Sequence, residues 1–187
     1  FSLTRRQFFC TFNTQCNGVL TAIFSYYYQL IVISYINGLA VIDPVTQLIN
    51  SNIKSNSFTS LMMIDKNTIA CGSSNGTLEI REFPSLKLIY TSQTYGTYHS
   101  KTSNAAITGI TESQKLLQQT NAIVMMDLSI TRKLLLTASI SGEVYLWDEN
   151  AFPIMHIDLG FDITSCCFLN GMGTIVFSGL QTIFKIS

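Results

Sequence analysis

The clearest alternation of apolar and polar residues lies in residues 134–148. An apolar run leads into small residues, Ser141 and Gly142 interrupt it, and a second run alternates up to Trp147 and Asp148. Alternation with a period of two is typical of a half-buried strand, and a polar residue followed by glycine between two such runs is typical of a hairpin turn. This stretch therefore predicts two antiparallel strands joined at Gly142.

The same pattern recurs along the chain in sets of strands that we label a to d. The first set is predicted at 20–25, 29–35, 39–43 and 46–50, and the second at 58–64, 68–72, 77–81 and 86–91. The third set joins 122–128 and 154–158 to the hairpin above, and the fourth has 163–169, 174–178 and 183–186. The b–c turns fall at Gly38, Gly76, Gly142 and Thr182. The chain is thus predicted to be all-β and repetitive.

Aligning the sets on these turns predicts which side chains point into the core. The inward positions are Ile33, Cys71, Thr137 and Phe177 on strand b, then Ala40, Leu78, Val144, Phe184, Ile42, Ile80, Leu146 and Ile186 on strand c. All but Thr137 are apolar. The three prolines, Pro44, Pro84 and Pro153, each follow strand c, as expected of a residue that cannot donate to a sheet ladder.

A hairpin that ends in Trp-Asp and recurs at about 40 residues resembles the WD40 repeat, one four-stranded blade of a β-propeller. The resemblance implies WD40-type propeller blades throughout 1–187. We expect 1–19 to hold strand d of a preceding or closing blade, with blades at 20–50, 58–91 and 122–158, an insert at 92–121 and an incomplete blade at 163–187. Two ring sizes stay open. The chain is either a four-bladed ring closed by strand 6–12, or about four blades of a ring of about seven, and we favour the second because seven is the commoner number in this family.

Composition narrows the possible partners. Hydrophobic residues are 47%, charged residues 12% and the formal net charge is zero. A basic stripe that would neutralise a run of phosphates is absent from the sequence, so we expect no direct nucleic-acid binding.

Residues 23–42 are about as long and apolar as a transmembrane helix requires. Gln29, Asn37 and the many β-branched residues favour two strands around the Asn37-Gly38 turn instead, and membrane binding is not expected.

The cysteines favour reduced thiols. Cys10, Cys16, Cys71, Cys166 and Cys167 are odd in number and lack the Cys-x-x-Cys spacing. Buried, reduced thiols are typical of an intracellular protein. We therefore expect a cytoplasmic location, with the nucleus or the cytoskeleton as alternatives.

The sequence offers little for catalysis. His99 and His156 are the two histidines, and neither has a second ligand at metal-binding spacing. By resemblance, WD40 blades often join a His, a Ser or Thr, an Asp and the Trp in one hydrogen-bonded set. Here Trp147 is matched by a hydroxyl of Thr137 or Ser139, but Ser141 occupies the Asp position and Phe161 the His position. We expect Trp147 to be a core aromatic with a nearby acceptor, and we expect no enzyme activity, metal or cofactor.

The sequence also predicts a binding surface on one rim of the propeller. Strands alternate in direction, so the d–a connections and the b–c turns must share one rim of the ring. The insert starts and ends at this rim and carries residue types favoured at binding hot spots. The alternative to a binding role is a mobile polar loop. The predicted contact residues are Asn37, Ser74, Asn75, Tyr95, Tyr98, His99, Lys101, Ile140, Ser141, Phe161, Asp162, Leu180 and Gln181.

The predicted function is a non-catalytic scaffold that presents propeller loops to other proteins in a multi-protein assembly. Two alternatives are a propeller that binds phosphoinositides or a membrane surface, and a propeller enzyme. The first rests on Arg5-Arg6, a pair similar to the paired arginines of that class, but Gln7 follows where the class has glycine.

Overall fold

The computed structural model describes residues 16–93, 122–169, 173–179 and 183–186. The strands in these ranges are β1 (Val19–Ser25), β2 (Leu30–Tyr35), β3 (Gly38–Ile42), β4 (Ile49–Lys54), β5 (Phe58–Met63), β6 (Thr68–Ser73), β7 (Thr77–Glu82), β8 (Leu88–Gln93), β9 (Ile123–Ser129), β10 (Leu134–Ser139), β11 (Glu143–Trp147), β12 (Pro153–Asp158), β13 (Ile163–Phe168), β14 (Ile175–Gly179) and β15 (Ile183–Ile186). Turns and irregular segments join them, and these ranges contain no helix. The all-β prediction is confirmed.

Consecutive strands pair into four antiparallel sheets. Sheet 1 is β1–β4, sheet 2 is β5–β8, sheet 3 is β9–β12, and sheet 4 is β13–β15 in the part of the chain that is described. Each sheet is a meander, because every strand pairs with the next one along the chain. This is the strand order of a propeller blade.

The apolar side chains of the sheets are buried between neighbouring sheets. Val32, Leu39, Phe58 and Ile69 fill the space between sheets 1 and 2. Leu78, Leu135 and Trp147 lie between sheets 2 and 3, and Leu136, Ile163 and Phe177 lie between sheets 3 and 4. A further cluster, Ile33, Ala40 and Ile42, lies on the other face of sheet 1. The middle strands of sheets 2 and 3 are therefore covered on both faces by neighbouring sheets, which explains their many buried apolar residues.

The connections emerge on two rims. We call the upper rim the edge that carries the β2–β3, β6–β7 and β10–β11 turns, together with the connections 55–57 and 159–162 between sheets. The lower rim carries the remaining turns of sheets 1, 2 and 3, which are β1–β2, β3–β4, β5–β6, β7–β8, β9–β10 and β11–β12. As strand alternation predicted, the d–a connections and the b–c turns lie on the same rim.

The predicted register of strand c is wrong in two sheets. In sheet 1 Ile33 pairs with Ala40, but in sheet 2 Cys71 pairs with Glu79, and in sheet 3 Thr137 pairs with Tyr145. The β6–β7 and β10–β11 turns hold one residue more than the β2–β3 turn. Leu78, Ile80, Val144 and Leu146 are apolar core residues as predicted, yet they face the following sheet rather than the preceding one.

The bounds of several strands also differ from the prediction, and β8 covers Leu88–Gln93 rather than 86–91. The β3–β4 connection extends to Leu48, whose carbonyl accepts a hydrogen bond from the Asp43 N–H at 3.0 Å. Strand β4 consequently covers Ile49–Lys54 rather than 46–50. Pro153 is the first residue of β12 and pairs with Trp147, instead of lying in the turn before it.

The stretch 23–42, for which a membrane helix was the alternative, forms the end of β1, then β2 and β3. Within the described residues no helix is long and apolar enough to cross a membrane.

Candidate functional site

On the upper rim, the connection 55–57 is fixed between the turns of sheets 1 and 2. The Asn37 N–H donates to the Ser57 hydroxyl at 3.1 Å, and the Asn37 carbonyl accepts from the Ser55 N–H at 3.1 Å. On its other side the Ser74 N–H donates to the Ser57 carbonyl at 2.9 Å. The loop therefore joins two sheets through its backbone, which limits its motion.

The turn of sheet 3 is held in the same way by the connection that follows β12. The Ile163 N–H donates to the Ile140 carbonyl at 2.9 Å, and the Leu159 N–H donates to the Gly142 carbonyl at 3.1 Å. Gly142 has a φ of 91°, a conformation that residues with a Cβ rarely adopt. The turn and the connection together form one rigid part of the upper rim.

The described members of the predicted contact surface all lie on this rim. Asn37, Asn75 and Asp162 are exposed, and Ser74, Ile140, Ser141 and Phe161 are partly buried. Their side chains also serve the turns: the Asn75 carboxamide accepts from the Thr77 N–H at 3.2 Å, and Phe161 packs on Phe184 at 4.6 Å between ring centroids. Tyr95, Tyr98, His99, Lys101, Leu180 and Gln181 lie outside the described residues.

Both ends of segment 94–121 are attached to the upper rim. Gln93 pairs with Thr77 beside the β6–β7 turn, and Ile123 pairs with Ser139 beside the β10–β11 turn. The Ile123 carbonyl accepts hydrogen bonds from the hydroxyls of Thr59 at 2.7 Å and Ser60 at 2.6 Å. The described residues on either side of the segment thus belong to sheets 2 and 3. Strand β8 includes residues 92 and 93, which the prediction had placed in the insert.

The expected partner of the tryptophan is present. The Trp147 indole N–H donates to the Thr137 hydroxyl at 2.9 Å, and both side chains are fully buried. The Ser139 and Ser141 hydroxyls share a separate hydrogen bond at 2.9 Å. Since buried polar groups need partners, these contacts give Trp147 and Thr137 a structural role in sheet 3.

Sheet 2 contains a buried ion pair that the sequence did not predict. Glu79 and Arg81 are 5% and 8% exposed, and their side chains meet at 2.7 Å. Arg81 also donates to the Leu86 carbonyl at 2.7 Å and to the Ser55 hydroxyl at 3.2 Å, and Glu79 accepts from the Asn56 amide at 3.2 Å. The pair therefore holds the connection 55–57 of the upper rim in place through these side-chain hydrogen bonds.

The buried thiols are poorly suited to act as nucleophiles. Burial raises the pKa of Cys71 well above its usual range, and burial, with Asp127 and then Cys167, raises the pKa of Cys166 to about 12. The thiolate is the reactive form of cysteine, so both side chains stay neutral at physiological pH. Cys167 is exposed and Cys16 partly buried, which departs from the expectation of buried thiols.

The polar side chains of the described ranges do not gather into a metal site, since no group of three His, Cys, Asp or Glu has suitable geometry there. His156 on β12 stacks on Tyr145 at 4.3 Å between ring centroids and contacts the Glu143 carboxylate across the strand pair. This is a cross-strand contact on the outer strand β12. His99 and Arg5-Arg6 lie outside the described residues.

Comparison with solved structures identifies the fold. The crystal structure of Saccharomyces cerevisiae Sqt1, a WD40 β-propeller, is similar to this chain with a TM-score of 0.71 and 14% sequence identity. The match covers 89% of this chain and 46% of the Sqt1 chain, so the chain spans about half the length of that protein. At this identity the similarity shows the fold alone, and the predicted WD40-type blades are confirmed. No protein-family model matches the sequence, and no curated protein matches it.

Proposed function

We propose that the chain is a non-catalytic protein-interaction scaffold whose upper rim contacts a partner protein within a larger assembly. The observation that carries this proposal is that the residues flanking segment 94–121 pair beside the hydrogen-bonded turns of the upper rim. Long connections in compact domains are usually functional or disordered. This one starts and ends on the rim to which the contact residues were assigned from sequence.

Rigidity supports the same function. Binding costs free energy for every loop and side chain that must be ordered. On the upper rim the connections 55–57 and 159–162 are already fixed by backbone hydrogen bonds to the neighbouring turns. A partner would therefore meet a preformed surface around Asn37, Asn75 and Asp162, on the same rim as the residues that flank segment 94–121. A cytoplasmic location is part of this proposal and rests on the cysteine content.

The test replaces residues 94–121 with a short Gly-Ser linker. We expect far-UV circular dichroism and the melting temperature to be retained, because every described strand lies outside 94–121, and we expect partner proteins to be lost. Partners are measured by quantitative cross-linking mass spectrometry in cells that express either form at equal levels.

A matched control changes the other rim. Substituting the exposed Tyr26 and Tyr27 by serine removes surface apolar area from the β1–β2 turn and should leave the upper-rim partners in place. Retention of every cross-linked partner by the shortened but folded protein would show that the proposed surface is wrong.

A further inference from the structure

A deep apolar groove opens on the lower rim between sheets 2 and 3. Its volume is about 780 Å³, within the usual range of ligand sites. Ile80 and Leu135 are buried and belong to its lining. Three further lining residues, Ile89, Ile130 and Phe152, are 58%, 81% and 58% exposed. Exposed apolar side chains in such numbers around one concavity mark binding surfaces.

The aromatic wall of the groove is fixed in place. Phe152 packs against Tyr90 of β8 with 6.0 Å between ring centroids. The Phe152 N–H donates to the Asp148 carboxylate at 2.8 Å, and the Asn150 N–H donates to the same oxygen at 2.9 Å. The turn that carries the phenyl ring is thereby held by its own aspartate. A side chain inserted beside Phe152 would meet an ordered surface.

The charged groups that line the groove are mostly acidic. Asp65, Asp148 and Glu149 are the carboxylates, and Lys133 is the one cation of the lining. Lys133 is paired with Glu149 at 2.5 Å, which leaves the charges of the two aspartates uncompensated by any other lining residue. Arg132, on the same turn as Lys133, lies instead against Gly173. Lys66, next to Asp65, is exposed and lies outside the lining, so the lining itself combines an apolar interior with a net negative charge.

We propose that this groove binds a short extended protein segment in which one aromatic or branched aliphatic side chain is flanked by lysine or arginine. The apolar side chain fills the space beside Phe152 and Ile130, and the flanking cations lie near Asp65 and Asp148. This surface is on the opposite rim from the residues that flank segment 94–121. It is therefore a second contact site, and this proposal does not depend on the proposed function.

The test uses fluorescein-labelled peptides and the full chain. The first has a central phenylalanine with lysines on both sides, the second has glutamates in place of the lysines, and the third has alanine in place of the phenylalanine. We expect the first to bind by fluorescence anisotropy, with weaker binding at higher salt because the charges are solvent-exposed. The second and third should bind much more weakly.

Two substitutions locate the site. D65N removes a charge and keeps the oxygen that accepts from the Asn67 N–H, and it should weaken binding about twofold to fivefold. I130S removes an exposed apolar side chain and should weaken binding at least as much. The matched controls are D162N on the upper rim and V45S on the lower rim of sheet 1, both at exposed positions, and neither should alter binding.

Several results would overturn the proposal. One is equal affinity for the lysine-flanked and glutamate-flanked peptides, and another is unchanged binding by I130S. A concentration-dependent dimer that I130S dissociates would show that the occupant is a second copy of this chain. Tighter peptide binding after removal of 94–121 would show that this segment occupies the groove. The proposed function remains testable in each case, because its partners are measured separately.

Discussion

At the scale of single residues, sheet 2 and sheet 3 use different chemistry at the same positions. Glu79 and Arg81 occupy in β7 the places that Tyr145 and Trp147 occupy in β11. In sheet 3 an indole N–H meets a buried hydroxyl, whereas in sheet 2 a guanidinium meets a carboxylate. The sequence could not predict this pair. Charged residues that alternate with apolar ones usually mark a solvated face, but a blade has a neighbour on both faces.

The buried pair predicts an asymmetric mutational response. R81M leaves the Glu79 carboxylate buried without its cation, and breaking such a pair costs about 3–5 kcal/mol. The double variant E79L/R81M removes both charges and should lose much less, since apolar side chains can replace a buried pair at little cost. Urea denaturation measures both free energies of unfolding.

The control for this prediction is the exposed pair of Lys133 and Glu149, which meet at 2.5 Å on the lower rim. K133A should cost less than about 1 kcal/mol. If E79L/R81M were as unstable as R81M, the destabilisation would not come from the unpaired carboxylate.

At the scale of elements, the sequence predicted the number and order of the strands well because hydrophobic alternation reports them directly. It placed β4 wrongly, since Asn50, Ser51 and Asn52 give this outer strand no apolar pattern, and the Asp43 turn extends further than its proline suggests. It placed the β6–β7 and β10–β11 turns correctly but missed their extra residue, because apolar residues on either face of these middle strands are buried against a neighbouring sheet, so alternation does not show which sheet they face.

The sequence predicted one of the two candidate surfaces and missed the other. Strand direction was enough to place Asn37, Asn75 and Ser141 on one rim. The lower-rim groove was not predicted, because its walls come from Ile89 and Phe152, which are distant in sequence and meet only when the two sheets pack.

The glycines of sheets 3 and 4 provide a test of turn geometry. An added Cβ at Gly142, whose φ is 91°, would lie 2.4 Å from the Phe161 carbonyl oxygen. G142A should therefore cost more than about 2 kcal/mol, the upper strain of a left-handed residue. Gly160 has a φ of 69° and open space around it, so G160A should cost about 1 kcal/mol from backbone strain alone.

Gly179 completes the series, because a Cβ there would make ordinary contacts of 3.6 Å and longer. G179A should be neutral or stabilising by up to about 1 kcal/mol. Thermal unfolding of the three variants gives the order of their stabilities. A G142A protein as stable as G179A would contradict the turn geometry described above.

At the scale of the whole molecule, three of the four buried clusters of the described residues lie between neighbouring sheets. Stability in such an array is a sum of repeat and interface contributions. Trp147 is the single tryptophan and is fully buried between sheets 2 and 3. Its fluorescence therefore reports one interface, while far-UV circular dichroism reports every sheet.

This arrangement allows cooperativity to be measured. Leu39 is fully buried between sheets 1 and 2, and L39A should cost about 2–5 kcal/mol. If interface coupling makes the sheets one unit, the Trp147 and dichroism transitions of L39A shift together in urea, although the substitution does not lie at the tryptophan's interface. The control is L48A, on the same sheet but 64% exposed, which should shift neither transition. A dichroism loss in L39A that precedes an unshifted Trp147 transition would instead mean that sheet 1 unfolds separately from sheets 2 and 3.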